Sequence, residues 1–235
     1  MSATPRALAA LLACCLVACA PQPRPAAPDE IPRARRETPP EFPRAYYEEA
    51  AVRGLNVHRI DPGQSVAVIE VRRGGSLAKL GHDHVVAAHD MQGYVAPDAG
   101  RADLYVALED LVVDEPALRQ AAGLDTQPSD SDIAATRANM LEKVLEADKL
   151  PWALVHIERS GADRMAVSVT LHGATRAFDV PAEIATDKER TTVSGKLAFN
   201  QSDFGIAPFS ILGGAIQVQD RLVLSFRIQA ATPAM

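Results

Sequence analysis

Two histidines separated by a single residue are the side chains of this sequence with the clearest capacity for chemistry. His82 and His84 flank Asp83, and residues two apart on a β-strand project to the same face of the sheet. Two imidazoles on one face provide two ligands for an ion such as zinc, but a complete site needs further ligands. The residues that could supply a third are Asp83, Glu109, His156 and His172.

The same pair has two other interpretations. The imidazoles could hydrogen-bond the backbone of a turn that follows Gly81. They could also hold the polar head of a ligand, because a neutral imidazole both donates and accepts a hydrogen bond. His89 lies five residues after His84, so regular alternation places it on the opposite face. The residues leave the metal, structural and ligand-binding interpretations open.

The distribution of cysteine excludes several kinds of site. The three cysteines are Cys14, Cys15 and Cys19, so the rest of the chain has no disulfide, no thiolate nucleophile and no cysteine-based metal centre. The sequence also contains no Gly-x-Ser-x-Gly elbow, no phosphate-binding glycine loop and no His-Glu-x-x-His pair. We therefore predict a protein that is not an enzyme and that holds no cofactor.

Composition narrows the class of partner. The 235 residues carry a net charge of −6, and only 5% are aromatic. An acidic chain is a poor match for nucleic acid, whose phosphates require a basic face. We predict no nucleic-acid partner.

The N-terminus has the pattern of a secretory signal. Residues 8–18 are apolar and follow Arg6, but a helix that spans a bilayer needs about 20 apolar residues. The run ends in Leu16-Val17-Ala18-Cys19, which resembles a bacterial lipobox. This resemblance implies a signal peptide over 1–18 and a diacylated Cys19 as the first mature residue. Ala20, in place of Asp, favours an outer-membrane anchor with the chain in the periplasm.

A proline-rich segment follows the cysteine. Eight prolines lie between Pro21 and Pro43, and this density favours extended polyproline II over helix or sheet. We predict a lipidated tether over 19–45 and one folded domain over 46–235.

The folded domain shows the period-two alternation of half-buried strands. The apolar sets that alternate with other residues are Ala67, Ile69 and Val71; Ala102, Leu104, Val106 and Leu108; Met165, Val167, Val169 and Leu171; and Leu222, Leu224, Phe226 and Ile228. Many short strands separated by turn residues predict an antiparallel sandwich or barrel. A barrel of about eight strands has room inside for side chains or one small ligand.

One segment has helical rather than strand periodicity. Ser131 is the predicted N-cap of an amphipathic helix over 132–145, with Asp132 in its first turn and Arg137 as the exception on its apolar face. A second short helix is predicted over 115–122.

Several blocks of the chain resemble one known family. The most specific is Asn200-Gln201-Ser202-Asp203-Phe204-Gly205-Ile206, followed by Pro208 and Phe209; weaker agreement covers His58 to Pro62 and Met140 to Leu145. In order and spacing, the region from about 55 to 231 resembles the YceI-like family of secreted lipid-binding proteins. The resemblance implies a mainly β, lipocalin-like, eight-stranded antiparallel barrel with a helix across one side.

The same resemblance implies the ligand. It implies an elongated apolar tunnel that holds a polyisoprenoid or a similar long-chain amphiphile, and it implies homodimers, although the sequence shows no interface. The residues assigned to ligand binding are Leu104, Val106, Met140, Leu141, Val144, Trp152, Phe199, Phe204, Ile206, Phe209, His82 and His84. Core packing is an equally good explanation of the apolar ones, because both roles place a side chain inside the barrel.

The chain departs from the usual family pattern in two places. The segment Leu80 to Val86 contains the two histidines, which defines a histidine-bearing subgroup, and an insert covers about 109–131. Two alternatives to a lipid carrier therefore remain at this stage. One is a metal-binding accessory protein that uses His82 and His84, and the other is an interaction module with a solidly packed barrel and an acidic surface.

Overall fold

The computed structural model describes residues 38–232, so the predicted signal peptide, Cys19 and most of the predicted tether lie outside the described residues. The strands are β1 (His58–Ile60), β2 (Val66–Val71), β3 (Arg73–Gly74), β4 (His84–Ala88), β5 (Met91–Ala96), β6 (Arg101–Ala107), β7 (Val112–Val113), β8 (Trp152–Arg159), β9 (Arg164–Leu171), β10 (Ala174–Thr186), β11 (Arg190–Asn200), β12 (Ser210–Ile211), β13 (Ile216–Val218) and β14 (Arg221–Ala231). The helices are α1 (Arg44–Val52), α2 (Pro116–Ala121) and α3 (Asp130–Asn139).

Eight antiparallel strands close into a barrel. Their order around the ring is β1, β5, β6, β8, β9, β10, β11 and β14, and β1 pairs with both β5 and β14 to close it. Full closure removes the free edges that an open sheet would expose. The prediction of a mainly β, eight-stranded antiparallel barrel is confirmed.

Three of the barrel strands are extended beyond a short interruption. β2 continues the course of β1 along β14, β4 precedes β5, and β7 follows β6; β2, β4 and β7 pair with one another in that order. The break between β1 and β2 is a turn over residues 62–64, where the Asp61 side chain accepts a hydrogen bond from the Gly63 amide. These extensions lengthen one side of the barrel and bring His84, the first residue of β4, to its end.

The alternation predicted from the sequence matches the inner face of the barrel. All four predicted apolar sets, on β2, β6, β9 and β14, face the interior of the barrel. Their alternating neighbours face outward, as Asp103 and Tyr105 do on β6. Because side chains alternate strictly along a strand, the face of one residue determines the face of every other residue in that strand.

The amphipathic helix forms where it was predicted, but its predicted N-cap is wrong. Ser129, and not Ser131, caps α3, because its side chain accepts from the Asp132 amide while the Asp132 carboxylate accepts from the Ser129 amide. Ser131 has alanine three residues later, so it cannot form this reciprocal capping box. After Asn139 the helix widens into a π-type turn over Met140–Val144. Arg137, the exception on the predicted apolar face, is exposed and donates to the carbonyl of Leu111.

The segment before β1 packs on the outside of the barrel. Pro39 and Phe42, which the sequence analysis assigned to the tether, are buried, and the Phe42 ring lies 4.9 Å from that of Tyr105. The Tyr47 hydroxyl of α1 donates to Asp103 at 2.6 Å. Residues 39–50 therefore cover the outer face of β5 and β6. Within residues 38–232, no helix is both long and apolar enough to cross a membrane.

Candidate ligand-binding cavity

The interior of the barrel is hollow. Its cavity has a volume of about 620 Å³, which lies within the range of about 300–1,000 Å³ typical of small-molecule sites. Every one of the eight ring strands contributes inward side chains to the wall, and nearly all of these are aliphatic or aromatic. An open apolar space of this size shows that the barrel encloses more volume than its own side chains fill.

Most of the residues predicted to bind ligand lie on the cavity wall. The wall includes Leu104, Val106, Met140, Val144, Phe199, Phe204, Ile206, Phe209, His82 and His84. Contact of any of them with a ligand stays a prediction.

Trp152 and Leu141 lie off the wall. On β8 it is Ala153 that faces the cavity, so its neighbour Trp152 points outward and packs edge-on against Tyr105 at 5.6 Å. Leu141, which belongs to the π-type turn, packs against the hydrophobic core and does not line the cavity.

Three phenylalanines form a cluster within the cavity wall. The ring of Phe204 lies 5.8 Å from that of Phe199 and 6.3 Å from that of Phe178. Edge-to-face and tilted contacts at these distances stabilise aromatic clusters. Phe204 lies in a short turn between β11 and β12, within the block that resembles the family. Its packing against Phe199 and Phe178 therefore joins this turn to the cavity wall.

The cavity opens at one end through a rim of apolar side chains, which we call the mouth. Leu80 and Ile211 line the cavity and are also 70% and 46% exposed. Leu77 and Leu212 lie in the same two loops and are exposed as well, and the Leu77 amide donates to Ala215 to join the loops. Exposed apolar clusters of this kind mark binding surfaces.

Polar side chains occur at the mouth beside this rim. His82 and His84 both line the cavity there, with their ring centroids 6.1 Å apart, and Asp132 of α3 lies on the same wall. The Nδ1 atom of His84 lies 2.6 Å from Oδ2 of Asp114. The ring of His84 is therefore fixed from behind while it faces the cavity.

Asp114 is held by several partners. Its carboxylate accepts hydrogen bonds from His84, from the Val85 amide at 3.0 Å and from Arg119, and its side chain is fully buried. Burial alone would raise the pKa of Asp114, but these hydrogen bonds outweigh it and hold the pKa below its usual range. Asp114 also has a φ of 60°, a conformation that persists in a non-glycine residue only where its surroundings enforce it.

Sequence reasoning did not find Asp114 and Arg119. Both lie in the predicted insert over 109–131, where Glu109 was the only residue with an assigned candidate role. Thirty positions separate Asp114 from His84, so only the pairing of β4 with β7 brings the two together. An acid and an arginine five residues apart, at the predicted helix over 115–122, were the only available signal.

The histidines do not assemble a metal centre. Among residues 38–232, no group of three or more His, Cys, Asp or Glu side chains has an arrangement that could hold a metal ion. Of the predicted third ligands, His156 bonds Asp103 on the outer face and His172 lies near Glu146. His89 pairs with Glu115 and lies off the cavity wall.

Comparison with known proteins identifies the family. A model described as the YceI-like domain matches residues 60–230, which is most of the chain. This protein belongs to the YceI-like family. No curated protein matches the sequence.

Solved structures show the same fold at low sequence identity. A polyisoprenoid binding domain from Saccharophagus degradans, implicated in plant cell wall breakdown, is 13% identical, with 76% of this chain and 99% of that chain covered and a TM-score of 0.54. BcnA from Burkholderia cenocepacia is 16% identical, with 73% of this chain and 99% of that chain covered and a TM-score of 0.51. At these identities the likeness concerns the YceI-like fold alone.

The Asp114 cluster predicts how stability depends on pH. The folded-state pKa of Asp114 lies below the usual value of 3.8, so its carboxylate stabilises the fold above that pH. This contribution disappears as the pH falls from 3.8 through the lower folded-state pKa. We expect Asp114→Asn to lower the free energy of unfolding at neutral pH by about 1–3 kcal/mol, because Arg119 loses its buried anion. The free energy of unfolding should also depend less on pH below 3.8 in this variant.

Urea unfolding at a series of pH values measures both effects. Asp148→Asn is the matched control, since it removes an exposed carboxylate that belongs neither to this cluster nor to the mouth, so it should change stability little. Equal pH profiles for wild type and Asp114→Asn would show that the cluster does not stabilise the mouth.

Proposed function

We propose that this YceI-like protein binds one long-chain apolar ligand, a polyisoprenoid or a similar amphiphile, inside its barrel and acts as its carrier or sink. The observation that carries the proposal is the continuous apolar cavity of about 620 Å³. The proposal assigns no catalytic step to the protein. It is also supported by the shared fold of the Saccharophagus domain, which is described as polyisoprenoid binding.

Burial of the ligand would supply the affinity. Each 100 Å² of apolar surface removed from water contributes about 2.5 kcal/mol before the costs of association. A wall of aliphatic and aromatic side chains therefore needs few polar contacts to hold an alkyl chain. Specific recognition is left to the polar groups of the mouth.

The two alternative functions have less support. The metal-binding accessory protein lacks a suitable ligand cluster among the described residues. The interaction module requires a barrel filled by its own side chains, whereas this barrel encloses an open cavity. Neither is favoured by an observation on this chain.

We further propose that the protein is a lipoprotein on the periplasmic side of the bacterial envelope. The lipobox-like sequence before Cys19 supports the anchor, and the proline-rich segment supports a tether between membrane and barrel. The exposed apolar rim supports an exchange of ligand with a lipid surface at the mouth. The mouth of a tethered barrel could then contact the bilayer while Cys19 stays anchored in it.

Filling the cavity should weaken lipid binding. Ala153 faces the cavity from β8, so Ala153→Trp places an indole where an alkyl chain would lie. Mass spectrometry of organic extracts should find a long-chain lipid in purified wild type and at least about tenfold less in the variant, since about 1.4 kcal/mol of lost affinity suffices for that factor.

The matched control is Ala166→Trp, which places the same side chain on the exposed outer face of β9. It should retain wild-type lipid. Wild-type protein that carries no lipid and takes none up from vesicles would refute the proposal, as would equal lipid in Ala153→Trp and wild type.

The apolar rim should control the rate of ligand uptake from membranes. Leu77 and Leu212 are 42% and 69% exposed and do not line the cavity. The double variant Leu77→Ser/Leu212→Ser should slow transfer of a fluorescent isoprenoid from vesicles several-fold, with unchanged affinity for the same probe in detergent. Val52→Ser, at an exposed site on α1, is the control. Unchanged transfer in the double variant would exclude a role for the rim.

The anchor can be tested by cell fractionation. Cys19→Ser removes the proposed acylation site, so the variant should leave the membrane fraction and become a soluble periplasmic protein, because one uncleaved apolar run of 11 residues is a weak anchor. Cys15→Ser is the control and should remain in the outer membrane. Membrane association of Cys19→Ser equal to wild type would contradict the lipoprotein assignment.

A further inference from the structure

The polar groups of the mouth differ from the rest of the cavity wall in having unused hydrogen-bonding capacity. His84 is mostly buried, with 12% of its side chain exposed, and it faces the cavity. Its Nδ1 atom bonds Asp114, while no described residue hydrogen-bonds its Nε2 atom. His82 lies beside it with no hydrogen-bond partner for either ring nitrogen within residues 38–232.

The Asp114 carboxylate determines the tautomer of His84. An ionised carboxylate only accepts hydrogen bonds, so the proton must lie on Nδ1 of His84. In a neutral ring this leaves a lone pair on Nε2, which makes that atom an acceptor. The three hydrogen bonds of the Asp114 carboxylate keep this arrangement in place. The mouth therefore offers a hydrogen-bond acceptor to the terminal group of the ligand.

The charges around the two histidines disfavour an anionic head group. Three carboxylates border the pair, those of Asp83, Asp114 and Asp132, and the guanidiniums beside them, of Arg73 and Arg119, already form ion pairs with carboxylates. Arg73, the cation on this part of the wall, already contacts Asp83 and Asp125. Lys79 is exposed in the neighbouring loop. A phosphate bound at the pair would lie near the Asp132 carboxylate, and the two guanidiniums there are already paired with carboxylates.

We infer that His82 and His84 bind an uncharged hydroxyl head group, so that the preferred ligand is a long-chain isoprenoid alcohol and not its phosphate ester. The hydroxyl group donates a hydrogen bond to Nε2 of His84, and its oxygen can accept a hydrogen bond from His82. This inference rests on the proposed function, since it requires the alkyl chain to occupy the cavity. It names the chemical class that the same site selects.

One substitution distinguishes the roles of the two nitrogen atoms of His84. In His84→Asn, the side-chain amide nitrogen stands the same number of bonds from the backbone as Nδ1, so it can keep the hydrogen bond to Asp114. The substitution removes the atom at the position of Nε2. His89→Asn is the matched control, because His89 bonds Glu115 outside the cavity. Thermal unfolding of both variants verifies that the mouth remains folded.

Three probes with one chain test the head group. They are geranylgeraniol, its methyl ether, in which a methyl group replaces the hydroxyl hydrogen, and its monophosphate. Displacement of an apolar dye from delipidated full-length protein gives each affinity. We expect wild type and His89→Asn to bind the alcohol about three- to tenfold more tightly than the ether, as one hydrogen bond provides, and more tightly than the monophosphate. His84→Asn should bind alcohol and ether equally.

The outcomes distinguish this inference from the proposed function. Equal affinity of wild type for alcohol and ether, tighter binding of the monophosphate, or an unchanged preference in His84→Asn would each overturn the head-group assignment while leaving the cavity as the chain site. Failure of all three probes to displace the dye from wild type would overturn both.

Discussion

Closure of eight alternating strands is the constraint on which the rest of this structure depends. Once the sheet closes, every second side chain of every strand must point into the same enclosed space. Because these side chains are mostly valine, leucine, isoleucine, alanine and phenylalanine, the enclosed space is apolar, and because many are small, it is not filled. The helices and loops only cover this shell: α3 borders one end, and residues 39–50 cover part of the outside.

The division of the site into wall and mouth follows from this architecture. The wall is built from regular strands, so its character is uniform, and it can provide affinity for any alkyl chain but little selectivity. Irregular structure begins where strands end, and there His84, Asp114 and Asp132 are brought together from β4, the insert and α3. The tautomer of His84 is therefore fixed by a residue of the insert and not by the regular strands of the ring.

Local periodicity predicted an antiparallel sandwich or barrel and the inward faces of four strands, because the parity of a strand such as Met165 to Leu171 is visible in the sequence. The choice of an eight-stranded barrel came from the resemblance to the YceI-like family. It failed where a decision depended on one position or on distant residues. Trp152 is apolar, but the parity of β8 is set by its neighbour Ala153. The N-cap moved to Ser129 because of a reciprocal bond with Asp132. The His84–Asp114 pair depends on strand pairing, which the chain alone does not show.

A crystal structure of the full-length protein purified from its native envelope tests the central claim most directly. The account predicts continuous, elongated electron density that fills the barrel beside the Phe178, Phe199 and Phe204 rings and ends at His84. A barrel in which the inward side chains collapse into the space, or in which ordered water fills it, would contradict the account.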